Sequence, residues 1–261
     1  WGGSLMRPEA TGFGAVYFVE EMLNKNGDSI KGKRVAISGF GNVAWGAVTK
    51  VNQLGGKVVT VSGPDGYILD ESGISGDKIS YMLDLRASNE DVVMPFSLEY
   101  PASKFYAKRR PWEVECDIAI PCATQNELNE EDAENLASNN CKIVAEGANM
   151  PCTPEAIEVF NRHNITFAPG KAVNAGGVAT SGLEMSQNAM KLSWSAEEVD
   201  EKLHQIMKNI HDENFFGFIN QEGKEIISPQ YEIATNFYEE IASVKTKEGW
   251  TIINKNGENN E

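Results

Sequence analysis

The sequence predicts an α/β protein with a doubly wound, mainly parallel sheet and a helical C-terminal extension. Short β-branched runs alternate with longer segments of helical spacing, an alternation typical of parallel sheets covered by helices. The β-branched runs are almost continuously apolar, as expected for strands that are buried on both faces. A glycine-rich turn joins the first run to a helical segment, which indicates a phosphate-binding domain of this class.

Five apolar runs are predicted as strands. They are RVAIS (34–38), KVVTVS (57–62), DIAIP (117–121), KIVAE (142–146) and ITFAP (165–169). Between the second and third runs, PDGYILDESG predicts a turn and a short hairpin. One helix and an irregular basic-aromatic stretch, KFYAKRRPW, are expected after the hairpin.

Seven segments have the spacing of helices, and several of them open with Asn, Thr or Pro, which favour helix starts. They are Glu9–Lys25, Asn42–Leu54, Asn126–Ala137, Pro154–His163, Val173–Leu192, Val199–His211 and Tyr231–Val244. The last two follow the final strand, so they are expected to form the C-terminal extension.

Composition excludes several classes of partner. The 261 residues include 23 Lys and Arg against 38 Asp and Glu, a formal net charge of -15, so nucleic acid is not expected to bind. No apolar run approaches the roughly 20 residues of a membrane span, and no signal peptide is recognised. We therefore expect a cytoplasmic protein without a membrane partner. The four cysteines lack metal-ligand spacing and a disulfide framework, so we expect reduced thiols and no metal.

The most informative motif is GFGNVA (39–44), which directly follows the first predicted strand and opens a helix. Gly39 allows a tight turn, Gly41 lets the backbone approach a pyrophosphate, and Ala44 lets the helix pack on the strand. Unpaired N–H groups at the helix N-terminus would hold the anion without a basic side chain. The motif predicts a Rossmann-like, dinucleotide-binding domain over residues 1–192, with residues 193–261 as the helical extension packed on it.

Six segments together resemble the glutamate dehydrogenase family, which includes the leucine, phenylalanine and valine dehydrogenases. They are RPEATGFG (7–14), SGFGNVAWGA (38–47), SGPDGYI (62–68), PCATQNEL (121–128), AEGANMP (145–151) and NAGGVATSGLEMSQN (174–188). The resemblance implies the cofactor domain of a hexameric-type, bacterial-like enzyme. After His211 the chain resembles the family only loosely.

The resemblance implies an activity as well as a fold. Enzymes of this family carry out NAD(P)-dependent oxidative deamination of L-glutamate to 2-oxoglutarate and ammonia, with hydride transfer to the nicotinamide. The family places the catalytic lysine and its partner acid in a separate substrate domain, which these residues do not contain. We therefore expect this chain to bind cofactor without turnover and to hold no catalytic residue, while the full-length protein forms a homo-hexamer.

The same resemblance implies roles for residues around the cofactor. Thr11 and Asn149 would hydrogen-bond the nicotinamide carboxamide, since both can donate and accept. Ala123, Thr124 and Gln125 would line the adjoining ring and ribose site. The positions along the rest of the dinucleotide would be Phe40, Asn42 and Val43 beside the pyrophosphate and adenosine, and Asn174 near the nicotinamide ribose.

For the substrate, the resemblance implies Arg7, Val178 and Ser181. Val178 would shape the side-chain pocket, Ser181 would contact the γ-carboxylate, and Arg7 would lie close to the cleft. A hydroxyl alone is a modest carboxylate anchor, and in the family a lysine of the other domain supplies the cation. Cys122 is interpreted as inert, because no neighbouring base activates it. Lys171 is interpreted as a solvated lysine after a glycine turn.

NAD is the expected cofactor, with NADP as the second candidate. Ser62 and Asp65 follow the second strand, where an acid would accept from the adenosine ribose and repel a 2′-phosphate. Asp65 comes late for that role, and Pro-Asp-Gly is also an ordinary turn. No Lys or Arg lies between Lys57 and Lys78, although the Lys108-Arg109-Arg110 stretch could fold over the pocket.

Two alternatives stay open. Another amino-acid dehydrogenase, for leucine or phenylalanine, would share the fold, but its apolar pocket would gain nothing from the Ser181 hydroxyl. A non-catalytic NAD-binding module would keep the nucleotide site only, and it would not need Thr11 and Asn149 for ring placement.

Overall fold

The computed structural model describes residues 3–212, 216–219, 225–231, 233–234, 241–246 and 249–259. The chain divides into two compact units, Trp1–Lys208 and Asn209–Glu261. The division falls later than the predicted boundary after Leu192, because the helix that was assigned to the extension belongs mostly to the first unit.

Within the described residues, the first unit contains seven strands, eight complete α-helices and most of a ninth. In chain order they are α1 (Ala10–Asn24), β1 (Arg34–Ile37), α2 (Asn42–Gln53), β2 (Lys57–Gly63), β3 (Gly66–Leu69), α3 (Asp77–Ala87), α4 (Met94–Glu99), β4 (Lys104–Ala107), β5 (Ile118–Ile120), α5 (Glu130–Ser138), β6 (Ile143–Ala145), α6 (Pro154–Arg162), β7 (Thr166–Ala168), α7 (Gly170–Val173), α8 (Gly176–Met190) and α9 (Ala196–Asp212). The α/β class that the sequence predicts is confirmed.

The seven strands form one sheet in the order β4-β3-β2-β1-β5-β6-β7. The five strands from β2 to β7 pair in parallel, while β3 and β4 add an antiparallel edge. The chain leaves β1 toward one side and returns at β5 on the other. The crevice outside the carboxyl ends of β1 and β5 is therefore the topological switch point, where ligands bind in sheets of this kind.

Helices cover both faces of the sheet. Ala36, Ala119 and Val144 belong to an apolar core with residues of α5 and α6, including Leu136 and Phe160. Side chains alternate along a strand, so the intervening residues of β1, β5 and β6 face the opposite layer, where α1 and α2 lie against the sheet. Burial on both faces explains the continuous apolar runs in the sequence.

Most predicted elements of the first unit are present with shifted ends. The hairpin is confirmed, since β2 and β3 pair antiparallel with Gly63 opposite Gly66. α5 begins at Glu130 rather than Asn126, because Asn129 forms a capping box with Asp132. The basic-aromatic stretch contains β4, which extends the sheet edge beside β3. No helix in the described part of the chain is long and apolar enough to cross a membrane.

The second unit corrects the predicted helical extension. The helix over Val199–His211 is confirmed as α9, but the one over Tyr231–Val244 is wrong. From Phe216 onward the described residues form the strands β8 (Phe216–Ile219), β9 (Glu225–Tyr231), β10 (Ile233–Ala234), β11 (Ile241–Thr246) and β12 (Gly249–Asn254). The alternating burial of Ala242, Val244 and Ile253, which pack in one cluster with Ile227, is the period of strands rather than helices.

Three helices of the first unit touch through glycines. A Cβ built on Gly12 in α1 would lie 2.2 Å from the Val43 carbonyl oxygen in α2, and one on Gly46 would lie 2.5 Å from the Glu9 carbonyl oxygen. On the other side of α1, a Cβ on Gly14 would lie 2.7 Å from the Gly176 Cα. The backbones of α1, α2 and α8 are thus in direct contact, which only residues without a side chain permit.

This contact predicts the effect of two matched substitutions. Gly12→Ala should lower the free energy of unfolding by about 2 kcal/mol or more, because backbone atoms cannot yield to the added methyl group. Gly182→Ala, in the middle of α8, meets no atom within 4 Å. It should raise the free energy of unfolding by up to about 1 kcal/mol, since alanine favours helix over glycine. Urea denaturation of both variants measures the difference, and equal midpoints would contradict the close crossing.

Candidate functional site

The predicted site residues gather at the carboxyl edge of the parallel sheet. Neighbouring strand ends carry Ser62 at the end of β2, the 39–43 turn after β1, residues 123–125 after β5, Asn149 after β6 and Asn174 after β7. The strands are adjacent in this order, so one edge presents all five positions. This is the side of a doubly wound sheet at which ligands bind.

Gly39 turns the chain from β1 into α2 under tight constraint. Its φ of +77° favours glycine, and a Cβ at this position would lie 3.0 Å from the Cys122 carbonyl oxygen. The Gly39 N–H donates to the Ser62 Oγ at 2.8 Å. The buried Ser62 hydroxyl therefore supports the turn from the next strand, which the assignment of Ser62 to the cofactor did not anticipate.

Gly41 has no packing reason to be glycine. Its φ of -80° and ψ of -171° suit any residue, and a Cβ there would meet nothing within 4 Å. Gly41 is also the N-cap of α2, and in the described part of the chain no side chain caps this helix end. Open space in front of uncapped N–H groups fits an anion such as a pyrophosphate.

The loop after β5 is held from below by a buried carboxylate. Glu127 Oε1 accepts hydrogen bonds from the Ser38 hydroxyl and the Ala123 N–H, both at 2.9 Å. Ser38 Oγ also accepts from the Cys122 N–H at 2.9 Å. The side chains of Ala123, Thr124 and Gln125 are exposed above this network, so they are free to meet a ligand.

The loop after β6 is organised by a second buried carboxylate. Glu146 accepts from the Cys152 N–H at 3.2 Å and from the Gly170 N–H at 2.7 Å. Asn174 Nδ2 donates to Asn149 Oδ1 at 2.7 Å, so the structure brings these two predicted residues together. Met150 has a φ of +49°, an uncommon conformation for this residue type that concentrates strain beside Asn149.

Two of the predicted substrate residues, Arg7 and Ser181, meet where α1 approaches α8. Arg7 Nε donates to Ser181 Oγ at 3.0 Å. A Cβ on Gly177 would lie 2.5 Å from Thr11 Oγ1 and 3.6 Å from an Arg7 guanidinium nitrogen, so Thr11 joins the same cluster. The Val178 side chain is 78% exposed. A guanidinium and a hydroxyl side by side form a reasonable carboxylate-binding pair.

Asp65 has a structural task that the sequence did not reveal. Its carboxylate accepts from the Val93 N–H at 2.9 Å and from the Met94 N–H at 3.0 Å. These donors lie at the N-terminus of α4, where a negative charge is favoured. The charge stays close to the end of β2, yet both oxygens are already engaged by backbone groups.

The cations near this end of the sheet also differ from expectation. Arg109 and Arg110 form ion pairs with Glu113 and Asp132, so they are held in the chain's own contacts. Arg86 of α3 instead stacks over Phe40, with its Cζ 5.2 Å from the ring centroid, and pairs with Asp91. Arg86 is therefore a cation beside the glycine turn that sequence spacing did not reveal, because α3 folds back over the turn.

Cys122 and Lys171 carry no sign of catalytic chemistry. Burial raises the pKa of the Cys122 thiol well above its ordinary value, and the nearby Glu127 carboxylate acts in the same direction. A thiol with a raised pKa is a poor nucleophile. Lys171 is exposed at the start of α7, in agreement with its interpretation as a solvated lysine.

Sequence reasoning missed three residues that shape the site: Ser38, Glu127 and Glu146. Glu146 comes directly after the apolar run of β6, and Glu127 closes the short loop that follows β5. A carboxylate placed at the end of a buried strand is costly unless donors surround it. That position was the available signal for a buried hydrogen-bond acceptor.

Comparison with known proteins places the chain in a family. A family model described as Glutamate/Leucine/Phenylalanine/Valine dehydrogenase matches residues 2–247. An NAD-specific glutamate dehydrogenase of Bacteroides fragilis is 70% identical over 211 residues, covering 81% of this chain and 47% of that protein. An NADP-specific glutamate dehydrogenase of Haemophilus influenzae is 52% identical over 211 residues, with 81% and 47% covered.

A solved structure shows the same fold. A glutamate dehydrogenase superposes with a TM-score of 0.79 at 52% identity, covering 82% of this chain and 48% of that one. The chain thus spans about half the length of the relatives that it matches.

Proposed function

Because the chain belongs to the Glutamate/Leucine/Phenylalanine/Valine dehydrogenase family, we propose that it is the cofactor-binding half of an NAD-dependent glutamate dehydrogenase. The observation that carries the proposal is Gly41, which neither backbone conformation nor packing requires to be glycine. It opens the space in front of the α2 N-terminus, where a pyrophosphate would bind. The relatives named as glutamate dehydrogenases support the choice of reaction.

The chain's own residues would orient the cofactor along the sheet edge. N–H groups of the 41–44 turn would hold the pyrophosphate, and the exposed loop of Ala123, Thr124 and Gln125 would face the ring. Asn149 and Thr11 would fix the carboxamide and thereby the ring face. When bound, the nicotinamide accepts the hydride of the reaction.

The Arg7–Ser181 pair supports an acidic substrate. Arg7 Nε lies 3.0 Å from the Ser181 hydroxyl, and this guanidinium would pair with the γ-carboxylate of glutamate, whereas an apolar leucine or phenylalanine side chain would gain nothing from it. This pair favours glutamate over the apolar alternatives. The exposed placement of ring-side residues, beyond what adenosine alone would need, favours an enzyme half over a nucleotide-sensing module.

Exposed apolar side chains on α8 support the proposal that a partner domain covers this helix. Val178 and Met185 lie seven residues apart on α8 and are 78% and 71% exposed, so they form one apolar stripe on this helix. Exposed apolar surface of this extent indicates a covering partner. We assign the stripe to the substrate half, which the matched relatives are long enough to contain. The hexamer and the cytoplasmic location stay predictions.

Dinucleotide binding tests the proposal. The chain should bind NAD, and Gly41→Val should raise the dissociation constant by more than about tenfold, because the side chain fills the approach path of the pyrophosphate. Its thermal midpoint should match that of the parent, since the position is open. Calorimetric titration of the parent, Gly41→Val and the control Gly182→Ala gives the answer. Parental affinity in Gly41→Val would show that the motif is only a turn.

Turnover is a separate test. The chain alone should not oxidise glutamate, since the family places the catalytic lysine and its acid in the other domain. NADH formation is followed by the absorbance of the reduced nicotinamide, with a full-length glutamate dehydrogenase as the positive control. NADH production in proportion to the amount of this chain would overturn the expectation, and Lys171→Ala would then be the first variant to assay.

Cofactor choice is the third test. NAD should bind more tightly than NADP, because the Asp65 carboxylate at the end of β2 repels a 2′-phosphate. Asp65→Asn removes the charge and keeps one acceptor oxygen. The ratio of the NADP to the NAD dissociation constant should therefore fall about fivefold, which corresponds to about 1 kcal/mol. Both dissociation constants are measured at the same low ionic strength. Arg86→Gln should raise the same ratio, because loss of this cation weakens the binding of NADP. Equal affinity of the parent for both cofactors contradicts the proposal.

A further inference from the structure

Glu127 is a buried carboxylate that the proposed cofactor contacts do not use. It is 9% exposed and lies two residues after the exposed Gln125. Placing a carboxylate in the interior costs several kcal/mol unless donors surround it. The position therefore calls for an explanation other than packing.

The backbone donors around Glu127 belong to the loop that comes just before it in the chain. Oε1 accepts from the Ser38 hydroxyl and from the Ala123 N–H, each at 2.9 Å. The backbone of Thr124 also interacts with this carboxylate. The carboxylate thus fixes consecutive peptide groups of the 123–124 segment.

Ser38 extends the same network across the crevice. Ser38 directly follows β1, donates to Glu127 and accepts from the Cys122 N–H at 2.9 Å. β1 and β5 are the neighbouring strands at the switch point. The network consequently ties the two walls of the proposed cofactor site together beneath the exposed loop.

The electrostatics agree with a role other than stabilising the fold. Burial raises the pKa of the Glu127 carboxyl, against the opposing effect of the hydrogen bonds from Ser38 and the backbone. An acid with a raised pKa in the folded state weakens the fold when it is ionised, and this cost falls as the pH drops through the raised value. A neutral side chain would therefore suit folding better.

The pyrophosphate turn has its own support. Gly39 is held by the Ser62 hydroxyl from β2, and the first N–H groups of α2 face open space. Neither feature includes Glu127. The two halves of a bound dinucleotide would thus depend on different buried side chains.

We propose that Glu127 is a positioning residue, which holds the backbone of Ala123 and Thr124 in the conformation that receives the nicotinamide half of the cofactor. The inference rests on the proposed function and goes beyond it, since Glu127 touches no cofactor atom in this scheme. Loss of the carboxylate would release the loop while the pyrophosphate turn stays formed.

The test compares NAD with ADP, which lacks the nicotinamide half. In Glu127→Ala the dissociation constant of NAD should rise by about tenfold, whereas that of ADP should stay within about twofold of the parental value. Glu127→Gln keeps one acceptor oxygen and should show a smaller loss, about threefold, with an unchanged or higher thermal midpoint. If Glu127→Ala does not fold, the Gln variant decides.

The control is Asp70→Asn, which changes another buried carboxylate that accepts from a backbone N–H, that of Ser72. It should leave the affinity for both nucleotides unchanged. Equal losses of NAD and ADP affinity in the Glu127 variants, or no loss of either, would overturn this inference alone. A parent chain that binds neither nucleotide would overturn the proposed function and this inference with it.

Discussion

The site depends on the way the chain stops β1 and starts α2. At Gly39 the backbone passes so close to the Cys122 carbonyl oxygen that a Cβ would lie 3.0 Å from it, and the Ser62 hydroxyl holds the Gly39 N–H. The turn is therefore fixed from both neighbouring strands. Because its position is fixed, the N-terminus of α2 points its uncapped N–H groups at one place. The other loops then take their positions around that place.

Local pattern was sufficient for the elements that make this turn. The strands from Arg34 and Lys57, the glycine motif and the hairpin at Gly63 follow from apolar runs and turn residues within a few positions of one another. The carboxyl-edge arrangement follows as well, since parallel strands bring their ends together. These are short-range rules, and the structure obeys them with shifts of a few residues at the ends.

What the sequence did not reveal depends on contacts between distant segments. The hydrogen bonds that Asp65 accepts from the Val93 and Met94 N–H groups could not be predicted, because these donors lie about thirty residues further along the chain. Arg86 reaches Phe40 only because α3 folds back over the turn. The strands around Ile241 read as a helix because an apolar run of mixed spacing fits both periods, and its sheet partners decide between them. Tertiary partners therefore set both the site's charges and the second unit's structure.

The glycine contacts between α1, α2 and α8 have a mechanical consequence. Where two helix backbones touch, there are no side chains between them that could rotate, so relative sliding meets the stiffness of the backbone itself. α1, which carries Thr11, and α8, which carries Ser181, should consequently move as one rigid body. A movement imposed on the exposed end of α8 would be transmitted to the cleft with little loss. Any larger residue introduced at Gly14 or Gly176 would push the two helices apart and change the angle between them.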